Sequence, residues 1–241
     1  LNAAVDEELI GRSPCRNITL PTVAKGQPRF YEPAQVDLLV AELPEPHATV
    51  ALVMAWCGLR WEEVAGLDVA AVRALRRELA VEKVITRAQR IKAYPKSAAG
   101  HRTVPAPTHV LERLGPFWQA AKDGPEPADG VRLLFRSPRD GRPLGYMAWW
   151  SAWQNAHKRL AKRKVEVPDY SPHALRHTAA SWWVQSGVPI FEVKELLGHS
   201  KIDSTMVYAH LQPGVHRSVR EAWDALLAER PAIMGGGDGS H

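Results

Sequence analysis

Two cysteines, Cys15 and Cys57, are all that the 241-residue sequence contains. They are too few and too far apart for a disulfide framework, and two free thiols suit a reducing compartment. Long apolar runs are missing too. The longest, roughly Ala48 to Leu59, has about 12 residues where a membrane helix needs about 20, and no positively charged leader precedes it, so a soluble, intracellular protein with no membrane partner is expected. There is no Walker phosphate loop, internal repeat or coiled-coil heptad, and no cluster of carboxylates suited to a two-metal nuclease. An initiator methionine is also missing: the sequence begins at Leu1, which predicts a fragment or processed product.

What is present is charge of both signs, 31 Lys and Arg against 26 Asp and Glu, for a formal net charge of +5. That excess suits nucleic acid or another anionic partner, although an ordinary Arg-rich soluble protein carries as much without one. At about 150 residues per domain, the length allows one large domain or two small ones. Residues 1–28 read as the end of a preceding element and a linker, because Gly11, Pro14, Pro21, Gly26 and Pro28 interrupt every long element. A compact domain is expected over residues 29–213.

Within it, Pro33 opens a helix that Pro44 ends, and an apolar helix over about 46–58 reads as central to the core, with Trp56 and Cys57 as packing residues. A short helix begins at Trp61. Residues 69–77 are ambiguous, whereas Leu79 to Ile91 has the alternation of strands, 92–100 reads as a turn, and Arg102 to Val104 as the returning strand. A helix from Pro107 to Lys122 and a short strand at 133–135 follow. Helices are expected at 147–162, 172–184, 189–196 and 204–211. Residues 214–230 form a last candidate helix with Val219, Trp223, Leu226 and Leu227 on one side, and 231–241 should be a disordered tail. The fold class is α+β, mostly helical with a small antiparallel sheet.

Four segments carry polar residues that chemistry can use. In Ser171-Pro172-His173-Ala174-Leu175-Arg176-His177, Ser171 is the expected cap and Pro172 the first helical residue. His173 and Arg176 then share a face beside backbone N–H groups that favour an anion; a solvated helix face explains the same spacing. His173 with His177 lacks a third ligand at a telling spacing, so no metal is expected. In Gly58-Leu59-Arg60-Trp61-Glu62-Glu63, Arg60 ends an apolar segment and needs a partner, either an anionic ligand or Glu63 three positions on. Lys96 lies on a hairpin tip among small residues. The last segment runs from the Leu197-Gly198-His199 box to Tyr208, which alone reads as a routine amphipathic residue.

Together these segments resemble the catalytic domain of the tyrosine recombinase and phage integrase family: an arginine in a Gly-Leu-Arg box, a hairpin lysine, His-x-x-Arg, Leu-Gly-His and a nucleophilic tyrosine. The resemblance covers about residues 30–212 in the family's order. It implies Arg60, Lys96, His173, Arg176, His199 and Tyr208 as catalytic residues, with Glu63 supporting Arg60. It implies the DNA breaking-rejoining fold, strand cleavage and rejoining through a 3′-phosphotyrosine on Tyr208, and site-specific recombination in phage or mobile-element integration and excision. His173 would assist proton transfer at the tyrosine, Lys96 would protonate the leaving oxygen and His199 would bond the phosphate. Arg60 and Arg176 suit the charge that the nonbridging oxygens gain. No cofactor is needed, since energy stays in the phosphodiester linkage.

The implied partners are double-stranded DNA attachment sites and further copies of the protein in a tetramer, to which the 214–230 helix would dock. The implied location is the cytoplasm of a prokaryotic host, at the nucleoid. Residues 1–28 would then end a missing core-binding domain. Arg87, Arg90, Lys92, Lys158, Arg159, Lys162, Arg163 and Lys164 are candidates for tracking DNA phosphates, each equally consistent with a solvated face. A DNA-relaxing or resolving enzyme with the same tyrosine chemistry, or a catalytically silent DNA-binding relative, are the alternatives.

Overall fold

The computed structural model describes residues 1–15, 28–93, 101–137, 139–214, 221, 223 and 224. After a short helix α1 (Asn2–Asp6), the domain begins at α2 (Pro33–Glu42), where Glu32 and Gln35 form a reciprocal cap and Pro33 occupies the first turn. α3 (His47–Cys57) is apolar all round and nearly all of it is buried, as a core helix should be. It packs against α2, the short α4 (Trp61–Ala65), α5 (Thr108–Asp123) and α7 (Ala174–Gln185).

α6 (Tyr146–Lys162) buries Trp149, Trp153, Ala156 and Leu160, all on one helical face. Trp149 and Trp153 are wholly buried, and burial of a large apolar side chain contributes about 1.5–3 kcal/mol. α8 (Ile190–Leu197) and α9 (Asp203–Met206) follow, then a 3₁₀ turn at Ala209–Leu211. A second, smaller apolar cluster joins Ala180 and Val184 of α7, Val193 and Leu197 of α8, and Tyr208.

The strands are β1 (Val72–Arg73), β2 (Glu78–Val81), β3 (Lys83–Ile85), β4 (Ile91–Ala93) and β5 (Arg102–Pro105). β1, β2 and β5 form one antiparallel sheet in that order, and β3 pairs with β4 in a separate ribbon. Val81 lies opposite Arg102 in the register, and Leu79 opposite Val104. The expected class, α+β with a small antiparallel sheet, describes this architecture.

Several local expectations need correction. Residues 69–77 resolve into two 3₁₀ turns around β1. Lys92 and Ala93 belong to β4 rather than to the turn. Of residues 133–135 only Leu133 is paired, in an isolated bridge to Asp68, and the next bridge joins Arg136 to Pro143, so no strand forms there. α7 starts at Ala174 with His173 as its cap residue, two positions later than expected, and no Ser171 side chain caps it. Helix 204–211 is split: α9 stops at Met206, and Tyr208 begins the 3₁₀ turn. Lys96, most of the 214–230 helix, the 231–241 tail and linker residues 16–27 lie outside the described residues. Within 214–230, Glu221, Trp223 and Asp224 are helical. Among the described residues, no helix is long and apolar enough to cross a membrane.

Candidate active site

Two helix ends frame the site. α3 ends at Gly58 and α8 at Gly198, both left-handed with φ 64°, a conformation that glycine adopts without penalty. Gly58 has a second reason to lack a side chain: a Cβ there would lie 2.7 Å from the Trp183 ring. Helix C-termini leave carbonyls without intrahelical partners and are favourable places for cations. Arginines fill both roles here. Arg176 Nη1 donates to the Gly58 carbonyl at 2.7 Å and Nη2 to the Leu197 carbonyl, while Arg102 Nε donates to the Leu196 carbonyl at 2.7 Å. Arg176 is thereby buried, and it stitches α3 to α8.

Glu63 is the buried counter-charge. It sits at the third position of α4, so its carboxylate reaches back to the Arg60 backbone N–H at 2.8 Å and accepts from Arg60 Nη1 at 2.9 Å. Arg102 grips the same carboxylate with both prongs, Nη1 at 3.1 Å and Nη2 at 2.8 Å. Arg176 Nη1 adds an ion pair at 3.6 Å. Burial alone would raise the Glu63 pKa, but the Arg102 hydrogen bonds and the charges of Arg102, Arg176 and Arg60 outweigh it and hold the pKa down to about 2. Burial, reinforced by Arg60 and opposed by Glu63, lowers Arg176 to about 9, so it stays charged at neutral pH.

Tyr208 is almost fully buried, and its hydroxyl is hydrogen-bonded to Nδ1 of His177. Burial raises the Tyr208 pKa to about 12, with Arg176 acting in the opposite sense. Burial, then the Arg176 charge, lowers the pKa of His177. His173 meets the His177 ring edge to face at 4.9 Å, and burial followed by the His177, Arg176 and Arg60 charges lowers its pKa to about 4. His199 Nδ1 is 3.0 Å from the Thr205 hydroxyl, and burial together with the arginines lowers its pKa to about 4 as well. At neutral pH the site therefore combines three guanidinium groups, one carboxylate and three neutral imidazoles. Such a cluster attracts an anion and holds a protonated phenol against an imidazole able to take its proton.

Arg60 and His173 border a cleft of about 290 Å³ walled by Trp61, Tyr146, Trp149 and Arg87. The Arg87 guanidinium stacks on Tyr146, 4.9 Å from the ring centre.

The structure thus brings Arg60, Glu63, His173, Arg176, His199 and Tyr208 together from α3 to the final 3₁₀ turn, while Lys96 is outside the described residues. One sequence-based expectation fails at the α7 start. The N–H groups of Ala174, Leu175 and Arg176 already donate to the Ser171, Pro172 and His173 carbonyls, so they are not free for an anion. Arg90 and Lys92 are exposed near the β3–β4 ribbon, and Lys158, Lys162 and Lys164 are exposed at the end of α6. Arg159 and Arg163 both pair with Glu42, which ties α6 to α2 and gives each a structural role. Among the described residues, no group of three or more His, Cys, Asp or Glu gathers as a metal site.

Sequence reasoning missed two residues. Arg102 reads only as strand in the sequence, although an arginine two positions before buried Val104 shares its face of β5 and needs a buried partner. His177 was considered only as half of a metal pair, although its place four residues after His173 put it on the same helix face.

The profile described as the phage integrase family matches residues 29–214. Tyrosine recombinase XerC of Ralstonia pickettii (strain 12J) is 30% identical over 230 residues, covering 86% of this chain and 64% of that protein. Tyrosine recombinase XerD of Pseudomonas aeruginosa is 28% identical over 212 residues, covering 84% of this chain and 64% of that protein. The chain thus spans just under two thirds of the length of these curated relatives. The Tn1549 transposon integrase, solved in complex with circular intermediate DNA, shares the fold with a TM-score of 0.70 at 21% identity, over 93% of this chain and 76% of that one. With most of its length matched by the family profile, this protein belongs to the phage integrase family of tyrosine recombinases.

Proposed function

We propose that the protein cuts and rejoins DNA at specific sites through a covalent 3′-phosphotyrosine on Tyr208. The observation that carries this reading is the Tyr208 hydroxyl held on a neutral imidazole beside the buried Arg176. In the proposed step the Tyr208 oxygen attacks the phosphorus, the bond to the 5′-oxygen breaks, and a 3′-phosphotyrosine and a free 5′-hydroxyl result. His177 receives the tyrosine proton, since it is the histidine hydrogen-bonded to the hydroxyl, and His173 supports it edge-on. Lys96 supplies the proton that the leaving 5′-oxygen gains. Arg60 and Arg176 face the charge that accumulates on the nonbridging oxygens. With the Thr205 hydroxyl donating to Nδ1 of His199, the Nε2–H of His199 donates to the same phosphate. A 5′-hydroxyl from a partner strand reverses the step and rejoins DNA.

The names of its relatives, Xer recombinases and a transposon integrase, support site-specific recombination, with integration and excision of a phage or mobile element as its setting. The partners are duplex attachment sites and further copies of the protein assembled on them as a tetramer, in the cytoplasm of a prokaryotic cell at its nucleoid. Residues 29–213 form the catalytic unit. Arg87 at the cleft, with Arg90, Lys92, Lys158, Lys162 and Lys164, tracks flanking phosphates.

The test is incubation of the protein and its Tyr208→Phe variant with nicked duplexes that carry candidate attachment sequences. A protein–DNA adduct that survives denaturation and needs Tyr208 supports the reading. No adduct on any duplex that the protein binds would sink it and favour a silent DNA-binding relative. Adducts followed only by loss of supercoils, without strand exchange, would favour a relaxing enzyme.

A further inference from the structure

Arg102 is absent from the cleft lining, yet it bonds both to the Glu63 carboxylate and to the end of α8. Each of its three side-chain nitrogens donates inward: Nε to the Leu196 carbonyl at the end of α8, and Nη1 and Nη2 to the two oxygens of Glu63. Those oxygens also hold Arg60, Oε1 through its guanidinium and Oε2 through its backbone N–H. A carboxylate offers about four lone-pair sites, and two arginines fill all four. The Arg60 side chain is 34% exposed and faces the cleft, whereas the Arg102 side chain is 7% exposed. Arg60 can therefore touch a substrate phosphate, and Arg102 acts only through its neighbours.

α4 is five residues long, too short to fix the Glu63 carboxylate by itself. β5, paired to β2 with Arg102 opposite Val81, is a firmer base. A planar fork anchored at a strand and at a helix end leaves the carboxylate one orientation, which a lysine cannot reproduce. We propose that Arg102 is a positioning residue: by clamping Glu63 between β5 and the end of α8, it aims Arg60 at the nonbridging oxygens of the phosphodiester. The inference rests on the strand-cleavage reading above.

The test compares adduct formation by wild type, Arg102→Met and Arg102→Lys on two nicked duplexes, one with a normal scissile phosphodiester and one with a methylphosphonate there. Methyl replacement of a nonbridging oxygen removes the charge that Arg60 would neutralise. A residue that acts through Arg60 then matters little, whereas a residue needed only for folding matters as much on either duplex. On the phosphodiester, Arg102→Met should slow the adduct about 100-fold, the scale of a small misplacement of a catalytic group. On the methylphosphonate its deficit should shrink to within about five-fold, and Arg60→Ala should follow the same pattern. Adding Arg102→Met to Arg60→Ala should change little.

Equal slowing on both duplexes, or none on either, overturns the inference. If Arg102→Met does not fold, Arg102→Lys is read by the same ratio. Wild type forming no adduct on either duplex would instead fail the strand-cleavage reading itself.

Discussion

The hydroxyl of Tyr208 is hydrogen-bonded to Nδ1 of His177, which joins the second residue after α9 to the first turn of α7. Tyr208 is buried and holds its proton more tightly than a free tyrosine, and His177 is held neutral by burial and by Arg176. At neutral pH the pair is thus a protonated phenol and a neutral imidazole.

Replacing His177 with Ala should slow adduct formation by about 100- to 10,000-fold, the usual contribution of a positioned base, and leave DNA affinity within about three-fold. Because the His177 pKa lies below its ordinary value, the wild-type rate should stay flat as pH falls to 6.5 and decline only below that. Single-turnover adduct rates across pH, beside filter binding of the same duplex, measure both. A decline centred above pH 7 would argue against His177 as the acceptor.

Glu63 predicts how stability depends on pH. Its folded pKa of about 2 lies below the ordinary 4.5, so the stability it contributes is fully present above pH 4.5 and is lost as pH falls towards 2. The two values imply about 3 kcal/mol for this buried group. Glu63→Gln should be less stable at pH 7 and should lack that part of the acid dependence. Denaturant unfolding of both proteins between pH 2 and 7 checks this, and parallel curves would refute it.

Gly58→Ala should lower stability by about 1–2 kcal/mol, because an L-residue is strained at φ 64° and its Cβ meets Trp183. The shift should also move the carbonyl that anchors Arg176, so the adduct rate should fall further than the fraction unfolded explains. Thermal unfolding beside single-turnover kinetics separates the two effects.

Arg87 and Arg163 should differ in DNA binding. Arg87 is exposed at the cleft and stacks on Tyr146, so Arg87→Ala should reduce the slope of log affinity against log salt by about 1. Arg163 is engaged with Glu42, and Arg163→Ala should leave that slope nearly unchanged. Binding titrations at several salt concentrations decide it.

Much of the fold was legible in the sequence because its signals are local. Pro33 at a helix start, the apolar run that became α3, and Trp149, Trp153 and Leu160 at helical spacing all report on neighbours a few positions away. The failures were local as well. Ser171 and Pro172 look like a cap and a first turn, but the i to i+3 bonds that close at Ala174 and Leu175 delay the helix. Tyr208 looked helical, yet the chain tightens into a 3₁₀ turn there and carries its side chain into the α7–α8 cluster.

By itself the sequence determined the kinds of residue available: an arginine after the glycine that ends α3, a carboxylate three positions from it, histidines on the face of α7, and a tyrosine beyond α8. Only the tertiary structure decided which of them touch. Arg102 on Glu63, Arg176 on the Gly58 and Leu197 carbonyls, and His177 on Tyr208 join elements far apart in the chain. No periodicity encodes such bonds. They form because burial strips the guanidinium, carboxylate and helix-end carbonyl groups of water, and each must then find its partner inside the protein.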